Sequence, residues 1–558
     1  MYVTRVKSKG KNGKSFVSIL LRESVRVGNK VKTNTIAVLT HMPKHVIASV
    51  EKAVKDGEKA TLQQIKDGEQ ARLKLRNGLS FGAIWTVEQV AKELGITQAI
   101  GKGFFAQLML WQVLARVMFP ACSLLAMVRK ASQSLASSIL NWKHSFNEND
   151  LYNSCAWVAQ KQTCIEQKLF KNNQDAQSLY LYDVTSSYFE GQHNELAHYG
   201  YNRDNKKGKK QVVVGMLTDS KGQPCSIRVF EGNTCDTETF GSNISTLKED
   251  FGCKNITVVG DRGMIKGPQI QQCKQQQYHY ISAISKPQIQ KLLNQGKLQM
   301  ELFDERVSEV EDDETGVRYV LKRNPVRADE LRSTRESKLS HLRAYISEQI
   351  NYQKQHPNAR WETRLKNIRE KIQRLKCNKW VDVRLENQTL HLDINQEQLK
   401  EQSKLDGCYV ITTDLSQQQA NKQQVHDRYK DLSRIERDFR TMKTGHLEIR
   451  PWYVRTQQST RAHAFTAMLA LKIRRHLETS WQHLDLTVEE GLEILTQWNV
   501  QQLVDVKTDT VLCTMVPKPN EIQKKLLDAL GLKAPEKINT NEVNVVTYKK
   551  LQEQRKTL

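Results

Sequence analysis

Polar and apolar residues alternate over residues 1–42, through Phe16-Val-Ser-Ile-Leu-Leu and Thr35-Ile-Ala-Val-Leu, between Gly/Lys clusters at 10–14 and 28–32. A period of two predicts a small, basic, β-rich module. From 43 to 175 the spacing turns helical. Strand-like runs return at 179–184, 211–218 and 225–230, separated by turn residues, and predict an antiparallel meander. A helix is predicted over 237–248, then a short strand ending at Asp261, a further helix, and a strand from Tyr278. Residues 176–286 therefore read as the first part of a mixed-sheet core. Residues 287–425 read as an insertion holding strands and a helical hairpin that is broken at Pro357. Its apolar seams are Leu339, Leu342, Ile346 and Ile350 on one helix, and Trp361, Leu365, Ile368, Ile372 and Leu375 on the other. The core resumes over 426–480, and 481–558 carries helices near 488–498 and 521–530 before a polar tail. The fold class is α+β and multidomain.

Within the resumed core, Tyr429, Glu436 and Lys443 fall seven residues apart. In a helix that interval drifts only ~20°, so the three side chains would share one stripe, each about 10 Å from the next. Leu432, Ile435, Phe439 and Met442 would form the apolar face. Earlier, the stretch from Thr86 to Ile96 is similar to the first helix and turn of a helix-turn-helix, but an ordinary helical hairpin is the simpler account.

Charge narrows the function. Lys and Arg number 85 against 61 Asp and Glu, a surplus of +24. Such a chain is suited to a polyanion, because each phosphate contact releases counterions. Ten scattered cysteines form no C-x-x-C pair, so they read as reduced thiols. The N-terminus lacks the apolar run of a signal peptide. The most apolar segment, 103–128, is interrupted by Gln107, Gln112, Arg116 and Pro120 and reads as buried helix rather than a membrane span. These features predict a cytoplasmic, nucleoid-associated protein with nucleic acid as its partner and no membrane.

Asp183 lies in the first strand, Asp261 ends the fourth, and Glu436 sits on a helix. Three carboxylates converging from those elements would hold two divalent cations for in-line phosphoryl transfer. Hard oxygen ligands suit Mg2+, with Mn2+ an alternative. A single Asp at a strand end is usually a cap or turn former. Three placed this way in a basic chain shift the balance.

These residues also carry a resemblance. Tyr182-Asp183-Val-Thr185 is similar to the D-x-T motif of DDE transposases, and Gly260-Asp261-Arg-Gly263 to their D-x-G. Tyr429, Leu432, Glu436 and Lys443 resemble the Y-x2-R-x3-E-x6-K signature of the bacterial insertion-sequence-four group. The stretches from Gly200, Gln211 and Phe230 resemble that group too. The resemblance implies an RNase H-like core, an order that three strands, helix, strand, helix, strand also follows. It implies an insertion-sequence transposase that cuts element ends and joins them to target DNA by cut-and-paste, with hairpin ends as one route. Its partners would be double-stranded DNA (terminal repeats and target) and a second copy of the chain in a synaptic complex. Asp183, Asp261 and Glu436 would be catalytic and hold the two metals. Tyr429 would meet a terminal phosphate and Lys443 the DNA backbone. One departure stands out: Leu432 occupies the signature's arginine position. End recognition is expected in the first 175 residues.

Further DNA contacts are expected from Arg437 and Arg440 on the helix, and from Arg203, Lys206 and Lys207 in the loop after the first strand. A solvated hairpin tip would explain that loop as well, and Tyr429 and Lys443 could be a packing phenol and a solvated charge. Asp236 reads as a helix cap, His463 as a core histidine, and His193 and His198 lack a third ligand for zinc. Relatives hold a flipped base with an insertion tryptophan, a role that neither Trp361 nor Trp380 can be given from sequence. A nuclease or resolvase without strand joining, and an inactive or domesticated DNA-binding protein, are the alternatives.

Overall fold

The computed structural model describes residues 2–552 except 10–14, 28–29, 45, 49, 52–53, 56–72, 173–178, 192, 205, 255, 387–388, 451, 506–507, 540–542, 544 and 551. The Gly/Lys cluster at 10–14, the start of the one at 28–32 and the last six residues of the polar tail lie outside the described residues.

Strands β1 (Tyr2–Lys9), β2 (Ser15–Val27) and β3 (Lys30–Val38) pair antiparallel in that order, as their alternation predicts. Strand β4 (Leu73–Ser80) follows, inside a stretch expected to be helical. Helices then dominate to Lys171. Helix Phe104–Met118 is buried over most of its surface because it is central: it packs against helices Glu148–Lys171 and Gln457–Trp481. Among the described residues no helix is long and apolar enough to cross a membrane.

The large sheet begins with β5 (Leu179–Tyr188), β6 (Gln211–Asp219) and β7 (Pro224–Phe230), the predicted meander. Helix Asp236–Ser245 leads to β8 (Thr257–Gly260), and helix Gly267–Gln275 to β9 (His279–Ala283). Strand β8 runs parallel to β5, and β9 parallel to β8. Next come β10 (Ser308–Asp312), β11 (Val317–Arg323), β12 (Val381–Glu386), β13 (Thr389–Ile394) and β14 (Cys408–Thr413). The eight-stranded order is β10-β11-β14-β9-β8-β5-β6-β7.

That order changes the picture of residues 287–425. Strands β10, β11 and β14 extend the main sheet past β9, whereas only the helical hairpin and the β12–β13 ribbon stand apart. Helices Pro325–Gln355 and Trp361–Arg374 bury Leu342, Ile346, Ile368 and Ile372 with Trp380 and Val383, the seam expected from the sequence. The C-terminal region also contains more than helices. Strands β15 (Asn499–Asp505) and β16 (Thr510–Met515) form a hairpin, and β4 pairs antiparallel with β15. These strands are short and carry Gln, Asn and charged residues, so their alternation is weak.

Both faces of β5 and β6 are covered, as expected for central strands between two layers. Tyr180, Tyr182 and Val184 face helix Asp236–Ser245 through Phe240 and Ile244. Leu181, of the opposite parity, joins the larger core with Ile435, Phe439 and Phe465. Asp183 shares the parity of Leu181 and is thereby aimed at the layer that carries Glu436.

Candidate active site

Register places two of the acids. Tyr182 pairs with Gly260 in the parallel β5–β8 ladder, so Asp183 and Asp261 follow at matching positions on neighbouring strands, a spacing of about 4.8 Å between strands. The third arrives on helix Leu432–Lys443, which lays Leu432, Ile435, Phe439 and Met442 on β5 and the core and leaves Glu436 exposed. All three carboxylates line one cavity of about 660 Å³.

The stripe predicted through Tyr429 is not one continuous helix. Helix Lys422–Lys430 ends before Asp431, and the second helix starts at Leu432. Tyr429 therefore reaches the cavity from the preceding helix, and its hydroxyl donates to Asp261 Oδ1 at 3.2 Å. Lys443 is not a free cation. Its Nζ donates to Thr185 Oγ1 at 2.6 Å and to Asp204 Oδ1 at 2.9 Å, and its side chain is 11% exposed. Arg450 Nη1 meets the same Asp204 oxygen at 2.6 Å. Burial holds the Lys443 ammonium below its ordinary value, despite Asp204.

Of the other expected DNA contacts, Arg203 and Arg440 line the cavity. Arg203 Nη2 is bound to Asp236 Oδ2 at 2.5 Å, so Asp236 is more than a helix-end residue: with Asp204 it is a further acid on the cavity wall, beside Asp183, Asp261 and Glu436. Cys235, not Asp236, holds the cap position. Arg437 is exposed on the helix but does not line the cavity. Lys206 and Lys207 are exposed outside it, Lys206 lying 5.7 Å over the Tyr188 ring. Leu432, at the signature's arginine position, is buried and helps to wall the cavity. Trp380 is 3% exposed, a core residue of the hairpin unit, and Trp361 packs against the same cluster. His463 is half-buried, its ring 4.9 Å from that of Trp452 and its Nε2 2.9 Å from the Ile449 carbonyl; desolvation pushes its pKa down to about 3.

Asp204 and Arg450 were not singled out in the sequence. The signal available was the Gly200-Tyr-Asn-Arg-Asp stretch, whose loop must be held against the sheet. A Cβ at Gly200 would sit 2.1 Å from the Gly232 carbonyl oxygen, and one at Gly232 would sit 1.9 Å from that of Gln211. Those two glycines allow the loop to lie on the β6–β7 end and place Arg203 and Asp204 at the cavity.

The electrostatics suit a cation. Burial pushes the Asp183 carboxyl up to about 7, and the negative charges of Asp261 and Glu436 push the same way. Among the described residues no group of three or more His, Cys, Asp or Glu side chains is drawn together as a ready metal cage. The acids line the cavity as hard oxygen donors with room between them, a donor set that fits magnesium or manganese.

Residues 175–473, more than half of the chain, match the family described as the transposase DDE domain. The chain belongs to the DDE transposases. It is therefore an enzyme that cleaves DNA and transfers strands, chemistry that in this family generally uses divalent metal ions. Residues 3–68 match the N-terminal domain of IS1634 family transposases, which makes this DDE transposase one of an insertion sequence. A solved structure, the cryo-EM structure of a piggyBac transposase synaptic complex with hairpin DNA, is similar over 80% of this chain and 76% of that chain. Its identity is 7% and its TM-score 0.35, too distant to add to the assignment. No curated protein matches the chain.

Proposed function

We propose that this transposase cuts the ends of its element and joins them to target DNA, with Asp183, Asp261 and Glu436 as the catalytic residues of every step. The observation that carries the reading is the shared cavity: three acids from β5, the end of β8 and a following helix line one space. The order β7-β6-β5-β8-β9, antiparallel then parallel, supports an RNase H-like core. Tyr429, Glu436 and Lys443 support the insertion-sequence-four signature, with Leu432 as its one departure.

Asp183, Asp261 and Glu436 would hold two magnesium or manganese ions, which activate the attacking oxygen and neutralise the leaving one during in-line transfer. The chain's own groups do the rest. Tyr429 holds Asp261 in one orientation through its hydroxyl. Arg440 and Lys430, on the cavity wall and exposed, meet the phosphates flanking the reacting one. Lys443 and Arg450 fix Asp204, and with it the loop that presents Arg203. Arg437, Lys206 and Lys207, outside the cavity, are placed for more distant backbone contacts. Excision is cut-and-paste, through hairpin ends, on paired terminal repeats held by two copies of the chain. The first 175 residues recognise the ends.

The test is magnesium-dependent cleavage and joining of DNA carrying the element's ends, wild type against Glu436→Gln. Loss of both products with end binding retained is the expected result. A variant that still cleaves would move the chemistry away from these acids.

A further inference from the structure

A second pocket, of about 290 Å³, opens on the other side of Tyr429. It shares Asp261, Tyr429 and Lys430 with the catalytic cavity, so the Tyr429–Asp261 hydrogen bond stands as the partition between the two spaces. Its remaining polar wall comes from Arg262, Lys286 at the start of helix Lys286–Asn294, and Tyr409 on β14, over a floor of Ala283, Ile284, Ile289 and Cys408. We propose that this pocket is a binding site for a DNA backbone phosphate, lying next along the path of a strand that crosses the catalytic cavity. The inference rests on the transposase reading of that cavity and assigns a second contact to the same substrate.

Charge is the first argument. Arg262, Lys286 and Lys430 are exposed cations around one small space. Among the described residues neither Arg262 nor Lys430 has an ion pair, and Lys286 lies 3.6 Å from Asp406, an acid already bound by Arg335. The one acid on the pocket wall, Asp261, is turned to the catalytic set. A site with three cations and one committed carboxylate favours an anion.

Shape and chemistry are the second. Lys430 Nζ lies 5.3 Å over the Tyr409 ring, whose hydroxyl is fixed 2.7 Å from His426 Nε2. The ring and the ammonium are thus held in place before a ligand arrives. Continuity is the third. A strand reacting in the first cavity must leave it on both sides, and each neighbouring phosphate is stabilised by a cation. The wall of Asp261 and Tyr429 leads directly into the second pocket, and two cations lie there that the catalytic cavity does not use.

A phosphate here belongs either to the DNA flanking the element end or to the target strand. Both sources are separated by comparing Arg262→Ala and Lys286→Ala with wild type on two substrates, an uncut end with flanking duplex and a pre-cut end offered to a target plasmid. Salt titration of binding is measured alongside on each DNA. The expected result is a roughly ten-fold loss in one reaction, with the salt slope for that DNA reduced by about one per variant. Loss confined to the uncut end assigns the phosphate to the flank; loss confined to joining assigns it to the target. Lys286→Arg, which keeps the charge, restores the activity. Variants equal to wild type in both reactions and in both slopes overturn the proposal. A wild type that neither cleaves nor joins indicts the catalytic reading instead, and the salt slopes still judge the pocket.

Discussion

The hydroxyl of Tyr429 donates to the carboxylate of Asp261 at 3.2 Å, joining the end of one helix to the end of a parallel strand. Burial and the adjacent Asp261 charge hold the phenol well above its ordinary pKa, so it remains a donor throughout the usable pH range. Tyr429→Phe keeps the ring and removes only the bond. Cleavage is expected to slow about five-fold, the worth of about 1 kcal/mol, with a higher magnesium requirement. A magnesium titration of the cleavage rate that superimposes on wild type would deny the bond any part in positioning Asp261.

Lys443 and Arg450 both grip Asp204, whose side chain is 4% exposed. Lys443→Ala leaves that buried carboxylate half-neutralised and is expected to cost about 2–4 kcal/mol. The loss should be local. Hydrogen exchange should quicken at the Arg203 amide, which donates to Ser186 Oγ, and at the Tyr188 amide, which donates to Asp204. Pairing Lys443→Ala with Asp204→Asn should recover much of the loss, because the stranded charge is gone. An additive double variant would show that the two residues do not interact.

The Asp183 carboxyl carries a pH signature. Its folded pKa is raised to about 7 by burial, so the protonated form is favoured by folding. Its stabilising contribution is full below the ordinary carboxylate range and is lost as pH rises through about 7. Without divalent metal, Asp183→Asn should therefore gain thermal stability over wild type at pH 8 and lose that advantage at pH 5. With magnesium present, wild type should recover at pH 8, because the deprotonated acid would be the ligand under the proposed function. A variant-to-wild-type difference that stays flat between pH 5 and 8 would contradict this.

Trp380 sits in the core of the helical hairpin and its ribbon. Trp380→Ala is expected to destabilise that unit by about 3–5 kcal/mol, visible as protease cleavage within 325–394. Trp380→Phe should keep both stability and joining activity. Loss of joining in the Phe variant at full stability would instead give the indole a direct role.

Much of the site was legible because its chemistry follows element ends. A strand that ends on Asp261, a strand that carries Asp183, and an amphipathic helix around Glu436 can each be read from spacing. The break at Asp431 could not, since every residue from Val425 to Met442 fits a helical period and Asp431 itself keeps helical dihedrals. The partners of Lys443 were hidden for a different reason. Asp204 comes from a loop whose path depends on close backbone crossings at Gly200 and Gly232, which are tertiary facts. Strand β14 was visible as a strand and β10 and β11 only as unplaced strand-like pieces within 287–425, and the pairing of β14 with β9 joins residues more than a hundred positions apart. Pattern alone carries no such pairing. Residues 73–80 were missed as a strand because their partner lies over four hundred residues away.

That last pairing bears on how the enzyme is made. Strand β4 meets Asn499–Asp505, and the Phe81 ring lies 4.6 Å from that of Trp498, tilted by 48°, while its amide donates to the Trp498 carbonyl at 3.1 Å. A ribosome must synthesise the more than four hundred residues that separate these strands before this clasp can close. Contacts of such long sequence separation form late. Until then the helical layer behind the catalytic sheet has an open seam along β4. A frameshifted or prematurely terminated product would lack the clasp while retaining all three acids, and its exposed strand edge would make it a substrate for proteases and aggregation before it could cut a chromosome.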